Sequence, residues 1–136
     1  ERSAVPLERI NPTGMYQPNR NIYSQVVKAT GGTQVHVAGT VPFDEEQNIV
    51  GIGDMKTQVV KILENIKISL NAGGAAPSDV VRINVFTVDV EAYVNEGASE
   101  VIAFFGDTKP VSTTMEVPRL VHPDWLVEIE ATAIID

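Results

Sequence analysis

DMKTQVVKILENIKISLNAGGAAPSDVVRINVFTVDVEAYVNEGASEVIAFFGD, residues 54–107, carries an apolar stripe at helical spacing, then a β-branched alternation, then a second helical stripe. Asp54 is a helix N-cap type, and Met55, Val59, Ile62, Ile66 and Leu70 follow at spacings of three and four, with Leu63 widening the stripe. Gly73-Gly74 then supplies the positive φ on which helices commonly end. Val80 to Val88 changes period: Val81, Ile83 and Val85 alternate with Arg82, Asn84 and Phe86, and the β-branched content predicts a strand covered on both faces. Asp89 can cap a second helix from about Glu91 to Phe105, expected to bury Val94, Ala98, Val101 or Ile102, and Phe105 before Gly106-Asp107 breaks it.

Upstream, Ala4 to Ile10 reads as an edge strand or arm. Asn11-Pro12-Thr13-Gly14 and the Pro- and Asn-rich run to Asn21 read as turn and loop. Ser24 to Ala29, the Gly31-Gly32 hinge and Gln34 to Ala38 together predict a hairpin, and Asp44 to Asn48 a solvated loop. Downstream, Ser112 to Val117 and Leu126 to Ile134 are strands joined by Pro118-Arg119-Leu120-Val121-His122-Pro123-Asp124, whose prolines cannot continue a ladder. The order β-β-β-α-β-α-β-β predicts an α+β domain, a mixed sheet with two helices on one face.

A chain of 136 residues buries one core, so a single domain is expected. Its 43% hydrophobic and 21% charged residues fit an ordinary globular protein. Ten Lys and Arg against eighteen Asp and Glu leave a formal charge of −8. Such a surface repels phosphate backbones and anionic lipid, and the basic residues are scattered singly, so no nucleic-acid or membrane partner is expected. The absence of cysteine excludes disulfides, thiolate nucleophiles and iron–sulfur clusters, and fits a cytoplasmic location. No signal peptide or apolar span is legible.

The last two strands carry polar residues in alternation: Ser112, Thr114 and Glu116 against Thr113, Met115 and Val117, and Glu128 and Glu130 against Val127 and Ile129. One reading is a water-facing sheet surface. The other is a face that closes against neighbouring subunits and leaves carboxylates in crevices to hold a ligand, where burial would raise a Glu pKa into the range of a general acid or base. His36 and His122 lack a ligand-spaced partner, so no metal is expected, and no G-x-S-x-G elbow marks a nucleophilic serine. The glycine pairs are turn chemistry, and Trp125 reads as packing against the core or an interface.

Tyr23-Ser24-Gln25, Val37-Ala38-Gly39-Thr40-Val41-Pro42, Gln58 to Asn65, Asp79 to Phe86, Val94-Asn95-Glu96, Phe104-Phe105, Glu116-Val117-Pro118-Arg119-Leu120 and Val127-Glu128-Ile129-Glu130-Ala131 together resemble the RidA/YjgF family of reactive-intermediate deaminases, in order from about Ile22 to the C-terminus. The resemblance implies a chorismate-mutase-like sandwich and a homotrimer with ligand clefts between subunits. It also implies binding of small carboxylated molecules and hydrolysis of 2-imino or 2-enamino acids to 2-oxo acids and ammonia without a cofactor. On that resemblance Glu128 would activate water and Tyr23 would flank the cleft, while Ala38, Gly39 and Asn95 would contact the substrate. Ser112 stands where active imine deaminases carry an arginine, and a single hydroxyl does not replace a bidentate cation for a carboxylate. Ser112, Thr114 and Glu128 would then bind a neutral or differently placed ligand, unless Arg20 or Lys109 supplies the charge. Arg119 matches a position read as structural. The alternative is a non-catalytic trimeric metabolite-binding or chaperone-like module. RNA cleavage is a third reading, opposed by the net charge.

Overall fold

The computed structural model describes residues 6–18 and 22–136, so the start of the expected Ala4–Ile10 strand, and Arg20, lie outside the described residues. The elements run β1 (Leu7–Ile10), β2 (Val26–Ala29), β3 (Thr33–Thr40), α1 (Met55–Ala72), a 3-10 turn (Pro77–Asp79), β4 (Val80–Thr87), α2 (Val90–Ala92), a π-helical turn (Tyr93–Gly97), α3 (Ala98–Phe105), β5 (Val111–Glu116) and β6 (Val127–Ile135). With α2, the π-turn and α3 as one continuous helix, this is the expected order. Among the described residues no helix is long and apolar enough to cross a membrane.

The main sheet has the order β3-β6-β4-β5, parallel between β4 and β5 and antiparallel elsewhere. Every second residue of β6 (Val127, Ile129, Ala131, Ala133, Ile135) is buried against Val59, Ile62, Ile66 and Leu70 of α1. The Asp54 cap forms as its sequence position suggests, with its Oδ1 accepting from Thr57 N at 3.1 Å. Asp89 caps α2 in the same way, accepting from Ala92 N at 3.0 Å.

β2 and β3 do not form the expected hairpin: β2 pairs with β1 as a separate two-stranded sheet, and β3 pairs with β6. Gly31 and Gly32 do turn the chain, with φ of 72° and 88°, but they carry it from one sheet to the other. The core decides the partner. Val37 of β3 is buried in the layer formed by Ala131, Ala133 and Ile135, whereas β2 exposes most of its length.

The second helix differs from its expected stripe. Tyr93, Gly97, Val101 and Phe105 are the buried positions, and Val94 is exposed. A strict four-residue spacing drifts around an α-helix of 3.6 residues per turn, and the wider π-turn resets that drift. Gly97 lets the helix approach α1 closely, since a Cβ there would sit 2.8 Å from Val59 Cγ2. β4 also breaks its alternation: the ladder with β6 slips between Val80 and Arg82, so Val80 and Ile83 both face the core.

Candidate active site

The open face of the sheet, opposite the helices, carries Glu128 and Glu130. The β3–β6 ladder is regular from Thr33 to Val37 and resumes at Thr40, leaving Ala38 and Gly39 in a bulge beside these acids. A side chain at Gly39 would overlap the Glu128 carboxylate, so that carboxylate lies directly over the Gly39 backbone. Glu128 also lines a cleft of about 670 Å³ with Arg119, Leu120, Val121 and Pro123.

Burial pushes the Glu128 carboxyl above the usual range, and the neighbouring Glu130 charge adds to the rise. Glu130 is itself held by Asn84, whose Nδ2 donates to its Oε2 at 2.9 Å. Ala38 also borders a more polar hollow of about 350 Å³ with His36, Arg82, Asn84, Glu130 and Thr132.

Tyr23, Ser112 and Thr114 come together elsewhere. The register Ile83↔Ser112 and Val85↔Thr114 places both hydroxyls on the helix side of the sheet, not on the face of Glu128. Alternation divides a strand into two faces without saying which is the core. On this edge strand the more polar set faces the helices, and Met115, 50% exposed, lies on the open face. Ser24 anchors the neighbouring Tyr23: its N donates to Pro110 O at 3.1 Å and its Oγ to Lys109 O at 2.7 Å. Tyr23, Ser112 and Thr114 line a pocket of about 390 Å³ whose remaining wall is largely apolar, including Val94, Ile102 and Phe105. Lys109 is turned to the helix end, its Nζ donating to Ile102 O at 2.9 Å. Asn95 is exposed on the π-turn, next to Val94 but not in the pocket lining.

The protomer therefore places the candidate residues on opposite faces of one sheet: Gly39 and Glu128 on one, Ser112, Thr114 and the pocket they share with Tyr23 on the other. Among the described residues, no group of three or more His, Cys, Asp or Glu is placed to hold a metal ion.

Sequence reasoning missed Gln58 and the lining residues Leu120, Val121 and Pro123. Gln58 is fully buried in α1, and its Nε2 donates to Gly51 O at 3.1 Å and to Asp124 O at 2.9 Å. Its Oε1 accepts from Leu126 N at 2.8 Å. The available signal was a glutamine three residues after Met55, inside the apolar stripe, where a buried amide must find partners. Arg119, read as structural, borders the Glu128 cleft.

The sequence profile of the family described as Endoribonuclease L-PSP matches residues 16–135. A RutC family protein of Pyrococcus abyssi is 41% identical over 113 residues, covering 82% of this chain and 84% of its own. The crystal structure of YyfB from Yersinia pestis, described as a Rid family protein of unknown function, matches with a TM-score of 0.89 at 32% identity, covering 95% of this chain and 98% of that one. The chain belongs to the RidA/YjgF family. A putative endoribonuclease of Thermotoga maritima shares the RidA/YjgF fold at a TM-score of 0.69 and 29% identity, covering 100% of this chain and 99% of its own.

Proposed function

We propose that this RidA/YjgF protein is a cofactor-independent hydrolase of small imines or enamines. Its sites would form between subunits of a homotrimer, with Glu128 as general base. The observation that carries the reading is Glu128: a half-buried carboxylate with a raised pKa, seated over the bare backbone of Gly39 at a bulge and bordering an open cleft. A base whose pKa moves toward the working pH takes a proton from water more effectively.

The placement of the other residues supports sites shared by two copies. Tyr23, Ser112 and Thr114 lie on the face opposite Glu128, so one protomer cannot present both halves to one ligand. Val121, 91% exposed, and the half-exposed Met115 leave apolar surface for a neighbouring copy to cover.

For an imine R₂C=NH, Glu128 takes one proton from a water molecule as its oxygen bonds to the imine carbon. The C=N π pair moves to nitrogen, to which Glu128 returns that proton. Glu128 then takes the hydroxyl proton of the resulting carbinolamine and passes it to nitrogen as the C=O bond forms and the C–N bond breaks. The products are R₂C=O and NH₃, so the atoms of imine and water balance. An enamine enters the same path after protonation at carbon.

The endoribonuclease wording attached to the family and to the Thermotoga protein does not suit this chain. A charge of −8 without a basic cluster opposes an RNA backbone. The test is ammonia release from freshly generated imines above the uncatalysed rate. Glu128→Gln is expected to lower the catalysed rate by about 10²–10⁴-fold, the range of a lost general base. Unchanged release would remove Glu128 from the mechanism. Ligand-dependent stabilisation of the native protein without turnover would favour the binding-module alternative, which the hydroxyl at Ser112 suggests.

A further inference from the structure

The half-site on the helix side of the sheet has a composition that narrows the ligand. Among the described residues no charged side chain lines the pocket holding Tyr23, Ser112 and Thr114. Lys109, the nearby cation of the loop before β5, is committed to the carbonyl of Ile102. The walls are aliphatic and aromatic, with Val94, Ile102 and Phe105 among them. Tyr93 lines the same pocket, and burial pushes its phenol up to about 12, the mark of surroundings that disfavour negative charge. The volume of about 390 Å³ falls within the range of small-molecule sites.

From these observations we infer that this pocket selects an uncharged, apolar substituent. The substrate would be an imine or enamine with a hydrocarbon or aromatic group at that end and no carboxylate there, positioned by the hydroxyls of Ser112 and Thr114. The inference rests on the hydrolase reading above for its reaction, but not for its binding preference. A carboxylate entering the pocket would leave water without a cation or an array of donors to replace its hydration. A hydrocarbon group is favoured by the same walls. Two hydroxyls suffice to orient a neutral polar atom of the ligand and exclude no hydrocarbon.

The test separates binding from turnover. Calorimetric titration of the full-length native protein with benzamide and with benzoate, two flat rings of equal size that differ in charge, reads the pocket directly. Benzamide is expected to bind about tenfold or more tighter, the scale of an unpaired charge against a neutral amide. Ser112→Arg is expected to reverse the order by supplying the bidentate cation. Benzoate binding as tightly as benzamide, or neither binding, would overturn the inference. Loss of benzoate affinity in Arg20→Gln would then identify the cation responsible. In parallel, the rate of ammonia release is compared between a neutral imine made by oxidising benzylamine and 2-imino-2-phenylacetate made by oxidising phenylglycine. Preference for the neutral imine supports both readings. A benzamide preference with no turnover of either imine leaves the selectivity standing and removes the hydrolase reading. Preferred turnover of the carboxylated imine together with benzoate binding as tightly as benzamide overturns the selectivity and leaves the hydrolase reading in place.

Discussion

Replacing Gln58 by methionine tests how the Glu128 cleft is held together. The side chain is 0% exposed, and three backbone groups depend on it: the carbonyls of Gly51 and Asp124 and the N–H of Leu126. Methionine keeps the length and nearly the volume, so the perturbation is the loss of these bonds more than a cavity. At about 1 kcal/mol for each neutral hydrogen bond removed, the variant should lose about 3 kcal/mol. A chain of 136 residues changes its melting temperature by about 3–4 °C per kcal/mol, which makes the expected fall about 10 °C. Asp124 and Leu126 follow directly on the Arg119–Pro123 segment that borders the cleft, so ligand affinity should fall together with stability. The assay is thermal unfolding by circular dichroism at fixed protein concentration, since assembly would otherwise shift the midpoint. A fall of less than about 3 °C would mean instead that the three groups find water when the amide is gone, and that Gln58 does not hold the cleft together.

Gly97→Ala should destabilise the protein by about 1–3 kcal/mol, because the added methyl would lie 2.8 Å from Val59 Cγ2 and 3.2 Å from Tyr93 Cδ1 in a closed helix contact; chemical denaturation reads the loss. Gly39→Ala should behave differently. The three atoms nearest its methyl would all belong to the Glu128 side chain, which can swing away, so turnover should drop sharply while the melting temperature changes little. The raised pKa of Glu128 sets two pH dependences. Its base form is lost as pH falls, so kcat/KM should decline on acidification. A carboxyl whose folded pKa lies above its unfolded value favours folding below the unfolded pKa and loses that contribution as pH rises through the folded pKa. Glu128→Gln, free of this effect, should therefore be at least as stable as the native protein at neutral pH, with the difference closing in acid when melting temperatures are compared across pH.

The fold was legible where one residue pattern admitted one partner. The α1 stripe from Met55 to Leu70 can only face a core, and Asp54 and Gly73-Gly74 bound it chemically. Strand pairing was less legible, because Gly31-Gly32 announces a turn but not which sheet receives the chain. The π-turn at Tyr93–Gly97 escaped notice since its i→i+5 bonds leave no periodic signature in so short a segment. At the candidate site the residue types could be named from the resemblance, but their arrangement could not. Glu128 and Ser112 each lie in an alternating strand, and only the pairings of β4 with β5 and β6 reveal that they face opposite ways. Gln58 was hidden for a related reason: burial makes its amide important, and a sequence does not report burial.

Subunit complementation tests the shared site most directly. Glu128→Gln removes the proposed base on one face, and Ser112→Trp fills the pocket on the other. Each variant alone should be inactive. Co-refolded in equal amounts, they should recover turnover, with roughly a quarter of the sites combining an intact pocket from one copy with an intact Glu128 from its neighbour in a cyclic trimer. Recovery near that level is the expected result. A silent mixture, with the native protein active under the same conditions, would contradict a site built between copies.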